Sequence, residues 1–301
     1  MSDPYAAHAR FIRPAWPLRD IWRIAVMVVL VEFIFGVTPG IMALLLPPAA
    51  LEIYVDGTSA TGTLMQFAAF GIPALGIVGL LHLLHHRGFW SLIGDAPAAW
   101  VDLKRVTVAV VAVLLLLEAL PRWGDPAMGA QMRNFGIWVA LVPVALLVLL
   151  VQVGAEEMFF RGYLQQQLAC LSSSRWVWMG VPSVLFGLVH YWNGFGTADG
   201  VIWAIWAALL GLACADLTAR TGNLGAAIGL HLANNILAVL LYGVQGWPAS
   251  GLALFVYPYA DPAEFASDLG TLLSSWAIVQ LLIQAALVYV MWLAARIAIR
   301  R

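Results

Sequence analysis

The sequence has 301 residues, of which 62% are hydrophobic and only 10% charged, and its formal net charge is -1. Soluble domains carry about 25% charged residues, so this composition excludes an ordinary soluble fold and indicates a polytopic membrane protein. The net charge also argues against a nucleic-acid partner, which needs a basic surface to neutralise phosphates.

Eight apolar runs predict transmembrane helices, because about 20 helical residues cross a hydrocarbon core, although the third run is short. Residues 1–20 precede them and are predicted to form a cytoplasmic N-terminal arm. We therefore expect an all-α bundle of about eight transmembrane helices, with residues 21–301 as a single domain in the lipid bilayer. The predicted spans are 22–46, 62–84, 106–120, 136–155, 176–193, 200–218, 223–243 and 271–296.

The basic residues between these runs predict the orientation of the chain. Thirteen of the fifteen Lys and Arg residues lie on the side of the predicted spans that carries both termini. Cytoplasmic loops are enriched in these residues, so we expect both termini in the cytoplasm. The compact loops and the composition rich in Ala, Leu and Trp favour a prokaryotic inner membrane.

Polar residues near the ends of two spans are expected to have structural roles. His82, His85 and His86 lie beside Arg87 at the end of the second span, where cationic groups complement a helix dipole, and these histidines are expected to be solvated. Asp216 and Arg220 are four residues apart and are expected to form an ion pair.

Two adjacent carboxylates, Glu156 and Glu157, follow the fourth apolar run, and the helix is predicted to continue past them toward Cys170. Glu157 and Arg161 are four residues apart, so they share a helix face and can pair. Glu156 is rotated by about 100° from that face and has no local partner. Such a carboxylate suits a general acid or base, although both glutamates could instead mark a helix end at the water interface.

Two later spans carry one histidine each among apolar residues. His190 follows Phe186 by four residues, and His231 precedes Asn235 by four residues, so each pair shares a helix face. A lone histidine in an apolar helix is more often a packing residue. A carboxylate and two histidines on three such spans instead predict an intramembrane polar cavity, because ionisable groups at that depth are costly.

These side chains could hydrolyse a peptide bond. Glu156 and His190 can hold and deprotonate a water, while His231 and Asn235 can donate hydrogen bonds to the oxyanion that forms. A zinc ion held by Glu156, His190 and His231 would also leave a position for water. The usual zinc-protease signature is absent from the sequence, and the sequence leaves the choice between a metal-free site and zinc open.

The three motifs together resemble a known family. Their order is that of the CAAX-processing and bacteriocin-processing intramembrane endopeptidases, the CPBP or abortive-infection family. The resemblance covers about residues 136–245, the expected catalytic core. The motifs are Glu156-Glu157-x-x-x-Arg161, Phe186-x-x-x-His190 and His231-x-x-x-Asn235.

This resemblance implies an eight-helix bundle with a cavity open to the cytoplasm. It implies that Glu156 is the catalytic carboxylate and His190 its partner on the attacking water. It also implies that His231 and Asn235 lie on the oxyanion side. Supporting roles are implied for Glu157, Arg161 and Phe186. Both a glutamate-dependent and a metal-dependent mechanism are compatible with the family.

Two functions other than an endopeptidase are compatible with polar residues in apolar spans. A proton-coupled transporter would relay protons through intramembrane carboxylates and histidines, but it predicts inverted repeats, which the sequence does not show. A non-catalytic membrane scaffold of the same fold would not need intact polar positions in all three motifs. The expected partner is therefore a peptide or membrane-protein substrate, prenylated or not, and the oligomeric state is left open.

Overall fold

The computed structural model describes residues 3–120, 129–261 and 268–300. Helices make up most of it, and two π-helical segments, Met158–Leu164 and Trp176–Gly180, precede α9 and α10. The α-helices are α1 (Ala6–Phe11), α2 (Ile21–Leu45), α3 (Pro48–Asp56), α4 (Ala60–Ala69), α5 (Gly71–His85), α6 (Trp90–Ile93), α7 (Ala96–Glu118), α8 (Phe135–Glu157), α9 (Gln165–Leu171), α10 (Val181–Val189), α11 (Thr197–Thr221), α12 (Gly225–Leu240) and α13 (Ser275–Ile299).

Five stretches within the described ranges are long and apolar enough to cross a membrane. They are α2, α4 together with α5, the continuous helix Phe135–Leu171, α11 and α13, whereas α12 is apolar but shorter. Each of them coincides with a predicted span. The prediction of an all-α polytopic bundle is therefore confirmed, while the count of eight spans and the boundary at residue 21 stay predictions.

The helix that begins at Phe135 does not end at the two glutamates. It continues through the π-helical segment Met158–Leu164 to Leu171, over 37 residues in all, as the prediction of a continued helix requires. Glu156 therefore lies in the interior of this helix, roughly 22 Å from its C-terminal end at 1.5 Å per residue. The alternative that the glutamates mark a helix end is wrong.

Glycines let the helices around this long helix approach closely. A Cβ atom added at Gly225 of α12 would lie 1.9 Å from the carbonyl oxygen of Ala99 in α7. One added at Gly187 of α10 would lie 2.4 Å from the carbonyl oxygen of Ala204 in α11. Small residues at helix contacts are typical of membrane bundles, where close backbone approach replaces the hydrophobic effect.

A small three-stranded sheet connects the ends of α8 and α12. Its strands are β1 (Gln131–Met132), β2 (Tyr242–Val244) and β3 (Phe255–Tyr257), and β3 pairs antiparallel with β1 and parallel with β2. Trp138 Nε1 of α8 also donates to the carbonyl oxygen of Leu240 at 3.1 Å. These contacts join the two helices that carry the glutamates and His231.

One of the three histidines predicted to be solvated is buried, and so is Arg87 beside it, whereas His82 is exposed as predicted. His85 and Arg87 are only 3% and 7% exposed, whereas His86 is exposed. Nε2 of His85 lies 2.8 Å from Oη of Tyr163, and the Arg87 guanidinium donates to Gln166. The prediction fails for His85 because the sequence shows the end of α5 but not the long helix that covers it.

The described part of the predicted N-terminal arm, from residue 3 onward, packs against the bundle. Helix α1 contacts α11, and the ring centroid of His8 lies 4.5 Å from that of Trp178. Tyr5 Oη donates to Asp216 at 2.5 Å. Asp216 also pairs with Arg220 at 2.7 Å, as predicted. Residues from Tyr5 onward are therefore part of the packed structure.

Docking of this segment is expected to weaken at acid pH. Burial lowers the pKa of His8 from 6.5 to about 4, so the undocked segment binds a proton more readily than the docked one. The docked state therefore has its full stability relative to the undocked state above pH 6.5. This stability decreases by about 3 kcal/mol in total as the pH falls toward 4. Hydrogen exchange of the α1 amides, corrected for intrinsic rates, measures this loss. His8→Phe keeps the ring contact and should remove the pH dependence; an unchanged dependence in that variant would contradict the assignment.

Candidate functional site

Glu156, Glu157, Arg161 and His231 come together between the long helix and α12. Nδ1 of His231 lies 2.8 Å from Oε1 of Glu157, and Nε2 lies 3.6 Å from Oε2 of Glu156. Oε1 of Glu157 also accepts a hydrogen bond from Nη1 of Arg161 at 2.9 Å, and both of these side chains are fully buried. The ion pair predicted from the spacing is therefore observed, with His231 as a partner that the sequence did not predict.

Phe186 of α10 lies at the centre of this group and is fully buried. Its ring centroid is 4.3 Å from that of His190 and 5.6 Å from that of His231. The guanidinium carbon of Arg161 lies 4.5 Å from the same ring centroid. Phe186 therefore separates the two histidines and covers the buried ion pair.

The orientation of His190 follows from its backbone contact. Its Nδ1 donates to the carbonyl oxygen of Phe186 at 2.7 Å, because a carbonyl can only accept. The charge of Glu156 acts on the His190 ring, and the arrangement in which the two side chains hold a water stays a prediction. Nε2 of His190 is then the nitrogen available to a substrate or a water.

Asn235 lies one turn after His231 and is held by two other amides. Its Nδ2 donates to Oε1 of Gln152 at 2.9 Å, and its Oδ1 accepts from Nδ2 of Asn234 at 3.0 Å. An amide nitrogen carries two hydrogens, so one is left to donate elsewhere. Gln152 was not predicted as a site residue, although its position four residues before Glu156 was a usable signal.

Gly211 and Cys214 of α11 lie behind the ion pair, and neither was predicted. The Cys214 thiol is fully buried and interacts with Glu157. A Cβ atom added at Gly211 would lie 2.7 Å from Nη2 of Arg161 and 3.2 Å from Cα of Ser183. Their contacts with the ion pair depend on how α11 packs against the long helix, which the local sequence does not indicate.

Gly211→Ala is expected to destabilise the protein by about 1–3 kcal/mol, the usual cost of overpacking. The Arg161 guanidinium cannot move away easily, because it is buried against Phe186. Gly154→Ala is the matched control, since nothing lies within 4 Å of its added Cβ atom and alanine favours a helix. Thermal unfolding in detergent measures both variants, and equal melting temperatures would contradict the contact.

The zinc site predicted from Glu156, His190 and His231 is not supported by the arrangement of these side chains. Imidazole nitrogens and a carboxylate are donors of the kind that zinc prefers. Across the described ranges, however, no group of three or more His, Cys, Asp or Glu side chains is arranged to hold a metal ion. Zinc binding by these three residues therefore stays a prediction.

Residues 138–237 match the family model described as type II CAAX prenyl endopeptidase Rce1-like, and this range contains all three motifs. A relative from Bacillus subtilis (strain 168), named uncharacterized protein YyaK, is 25% identical over 199 residues. The matched region covers 64% of this chain and 65% of that relative, slightly less than two thirds of its length. No solved structure matches the chain significantly. The predicted resemblance to this family of membrane endopeptidases is thus confirmed over residues 138–237, which are less than half of the chain.

Proposed function

We propose that this protein is an intramembrane endopeptidase in which Glu156 and His190 activate a water. The observation that carries the proposal is the position of Glu156. Its Oε2 is buried, makes no hydrogen bond within the described part of the chain and lies 3.6 Å from Nε2 of His231. A buried carboxylate oxygen that has no hydrogen-bond partner in the protein is suited to hold a water molecule. The family match supports peptide-bond hydrolysis as the reaction.

Glu156 is the general base in this mechanism. The carboxylate takes a proton from a water that also contacts Nε2 of His190, and the resulting hydroxide attacks the carbonyl carbon of the peptide bond. The carbonyl electron pair moves to its oxygen, which gives a tetrahedral intermediate. When the carbon–nitrogen bond breaks, the proton held by Glu156 passes to the leaving amine.

His231 and Asn235 bind the oxyanion of that intermediate. Nδ1 of His231 donates to Glu157, so its Nε2 donates to the oxyanion only when both ring nitrogens carry a proton. Such donors stabilise the developing charge because they are held in place before the reaction.

Gln152 acts on the same step by orienting Asn235. The hydrogen bond between Nδ2 of Asn235 and Oε1 of Gln152 fixes the rotation of the amide, and Asn234 holds the opposite side. The second hydrogen of Nδ2 then has one direction in which to donate. Gln152 is therefore a positioning residue for the oxyanion donor.

The proposal includes a cavity that opens to the cytoplasm of a prokaryotic cell, with both chain termini on that side. The distribution of Lys and Arg supports this orientation. The substrate is a peptide or a membrane protein that reaches the site from the cytoplasm or the bilayer. Because the family description names prenylated CAAX proteins, peptides of that class are the first to test.

The purified protein in liposomes tests this function. It is incubated with membrane-proteome peptides and with C-terminal peptides that carry or lack a farnesylated cysteine, and new N-termini are identified by mass spectrometry. We expect cleavage by the parent protein and by His82→Ala, an exposed histidine of α5, but not by His190→Ala. Equal cleavage by both variants would contradict the proposal, and proton flux without cleavage would support a transporter.

A further inference from the structure

A groove of about 680 Å³ lies between α11, α13 and the π-helical segment Trp176–Gly180. It is on the opposite face of α11 from the candidate site. Leu212 and Ala213 line the groove, whereas Gly211 and Cys214 face the ion pair of Arg161 and Glu157. Since successive residues turn by about 100° on an α-helix, these two sets lie on opposite sides. The groove is therefore a separate feature from the candidate site.

The groove is apolar along most of its length and polar at one end. Leu209, Leu212 and Val288 are among the apolar side chains that line it. The charged groups in its lining are Arg175 and Asp216. Because α11 and α13 are both long and apolar enough to cross a membrane, the apolar part of the groove faces hydrocarbon chains.

The acidic group at the polar end is fully engaged by the protein. Asp216 accepts hydrogen bonds from Tyr5 at 2.5 Å, from Arg220 at 2.7 Å and from Trp292 at 2.8 Å. These contacts join Tyr5, the residue before α1, to α11 and α13. Asp216 therefore has a structural role and does not need a ligand.

Guanidinium groups cluster on aromatic rings around this end. The guanidinium carbons of Arg175 and Arg220 lie 4.7 Å and 5.2 Å from the ring centroid of Tyr5, and that of Arg296 lies 4.8 Å from the ring of Trp292. Three cations thus surround two aromatic rings. Within the described ranges, Asp216 pairs with Arg220, and the exposed Asp3 accepts from the backbone nitrogen of Tyr5. Arg175 is exposed at the end of the groove, where an anion can reach it.

Aromatic side chains place this end at the depth of the lipid headgroups. Trp176 and Tyr289 line the groove and are 81% and 57% exposed. Trp and Tyr are enriched where the hydrocarbon meets the polar headgroups, and basic pockets between transmembrane helices bind anionic headgroups. The apolar groove and its basic end therefore match the two parts of one amphipathic molecule.

We propose that this groove binds an anionic phospholipid, with an acyl chain along α11 and α13 and the phosphate beside Arg175. The binding does not depend on the proposed protease activity. Binding of lipid to the folded state stabilises that state by mass action, so the groove couples the anionic lipid content of the membrane to the stability of the bundle.

Lipid retention by the full chain tests this proposal. The protein is purified in detergent, incubated with dioleoyl-phosphatidylglycerol or dioleoyl-phosphatidylcholine, and examined by native mass spectrometry. We expect at least fivefold higher retention of phosphatidylglycerol. We expect Arg175→Gln to remove that preference without changing the melting temperature in lipid-free detergent, while Arg105→Gln, an exposed arginine of α7, keeps the preference.

A second variant tests the apolar part of the groove. Ala285→Phe narrows the groove and should reduce retention of both lipids. Equal retention of the two lipids would show annular lipid only and would overturn the proposal, as would an unchanged preference in Arg175→Gln. Displacement of the retained lipid by a farnesylated peptide at equal concentration would also overturn it, because the groove would then bind substrate.

Discussion

Glu156→Gln is expected to lower the rate of peptide-bond cleavage by about 10²–10⁴-fold, the usual contribution of a general base. Glutamine keeps the volume and one acceptor oxygen of glutamate, but it cannot take a proton from water. The melting temperature should change little, because Oε2 of Glu156 makes no hydrogen bond within the described residues. Turnover of a substrate peptide and thermal unfolding in detergent measure the two effects.

Glu32→Gln is the matched control for this substitution. Glu32 lies in α2, another apolar helix of membrane-spanning length, and it is exposed on the bundle surface. The control should keep the parental rate. A Glu156→Gln protein that turns over substrate at nearly the parental rate would remove Glu156 as the base and, with it, the proposed mechanism.

Glu157→Gln is expected to lower the free energy of unfolding by about 3–5 kcal/mol, because it leaves a buried arginine without its anion. The Arg161 side chain is fully buried and packed beneath Phe186, so water cannot replace the carboxylate. His231 also loses the acceptor of its Nδ1 hydrogen bond. We therefore expect a lower yield of folded protein as well as lower activity, measured by chromatography in detergent and by chemical unfolding.

Asp20→Asn provides the comparison for that result. Asp20 pairs with Arg23 at 3.0 Å, but its side chain is 51% exposed, so the pair contributes at most about 1 kcal/mol. The double variant Glu157→Arg with Arg161→Glu should recover part of the folding but not the activity, because an arginine would then face His231. Equal destabilisation by Asp20→Asn and Glu157→Gln would argue against a buried pair.

Local spacing predicted those contacts that lie within one helix. The ion pair of Glu157 and Arg161 was predicted from their spacing of four residues on a helix. The continuation of the helix beyond residue 155 was predicted because no proline occurs between that residue and Cys170. The apolar runs likewise predicted the helices that are long enough to cross a membrane.

Contacts between distant segments were not predictable in the same way. His231 bonds to a residue 74 positions earlier, and Asn235 to one 83 positions earlier, so both bonds depend on how α12 packs against α8. The burial of His85 and Arg87 depends in the same way on the helix that covers them. The strands of the small sheet have only two or three residues, too few to show a period of two.

The π-helical segment Met158–Leu164 sets the angular phase between the two halves of the long helix. In a π-helix the backbone hydrogen bonds join residues five positions apart instead of four. Each residue therefore turns through a smaller angle about the helix axis than in an α-helix. The half before the segment carries Glu156 and Glu157, and the half after it carries Gln166, which is held by Arg87. With a regular α-helix between them, the second half would rotate relative to the first, and only one of the two sets of contacts could form. The π-helical segment therefore allows one continuous helix to make both sets of contacts, although they point in different directions around its axis.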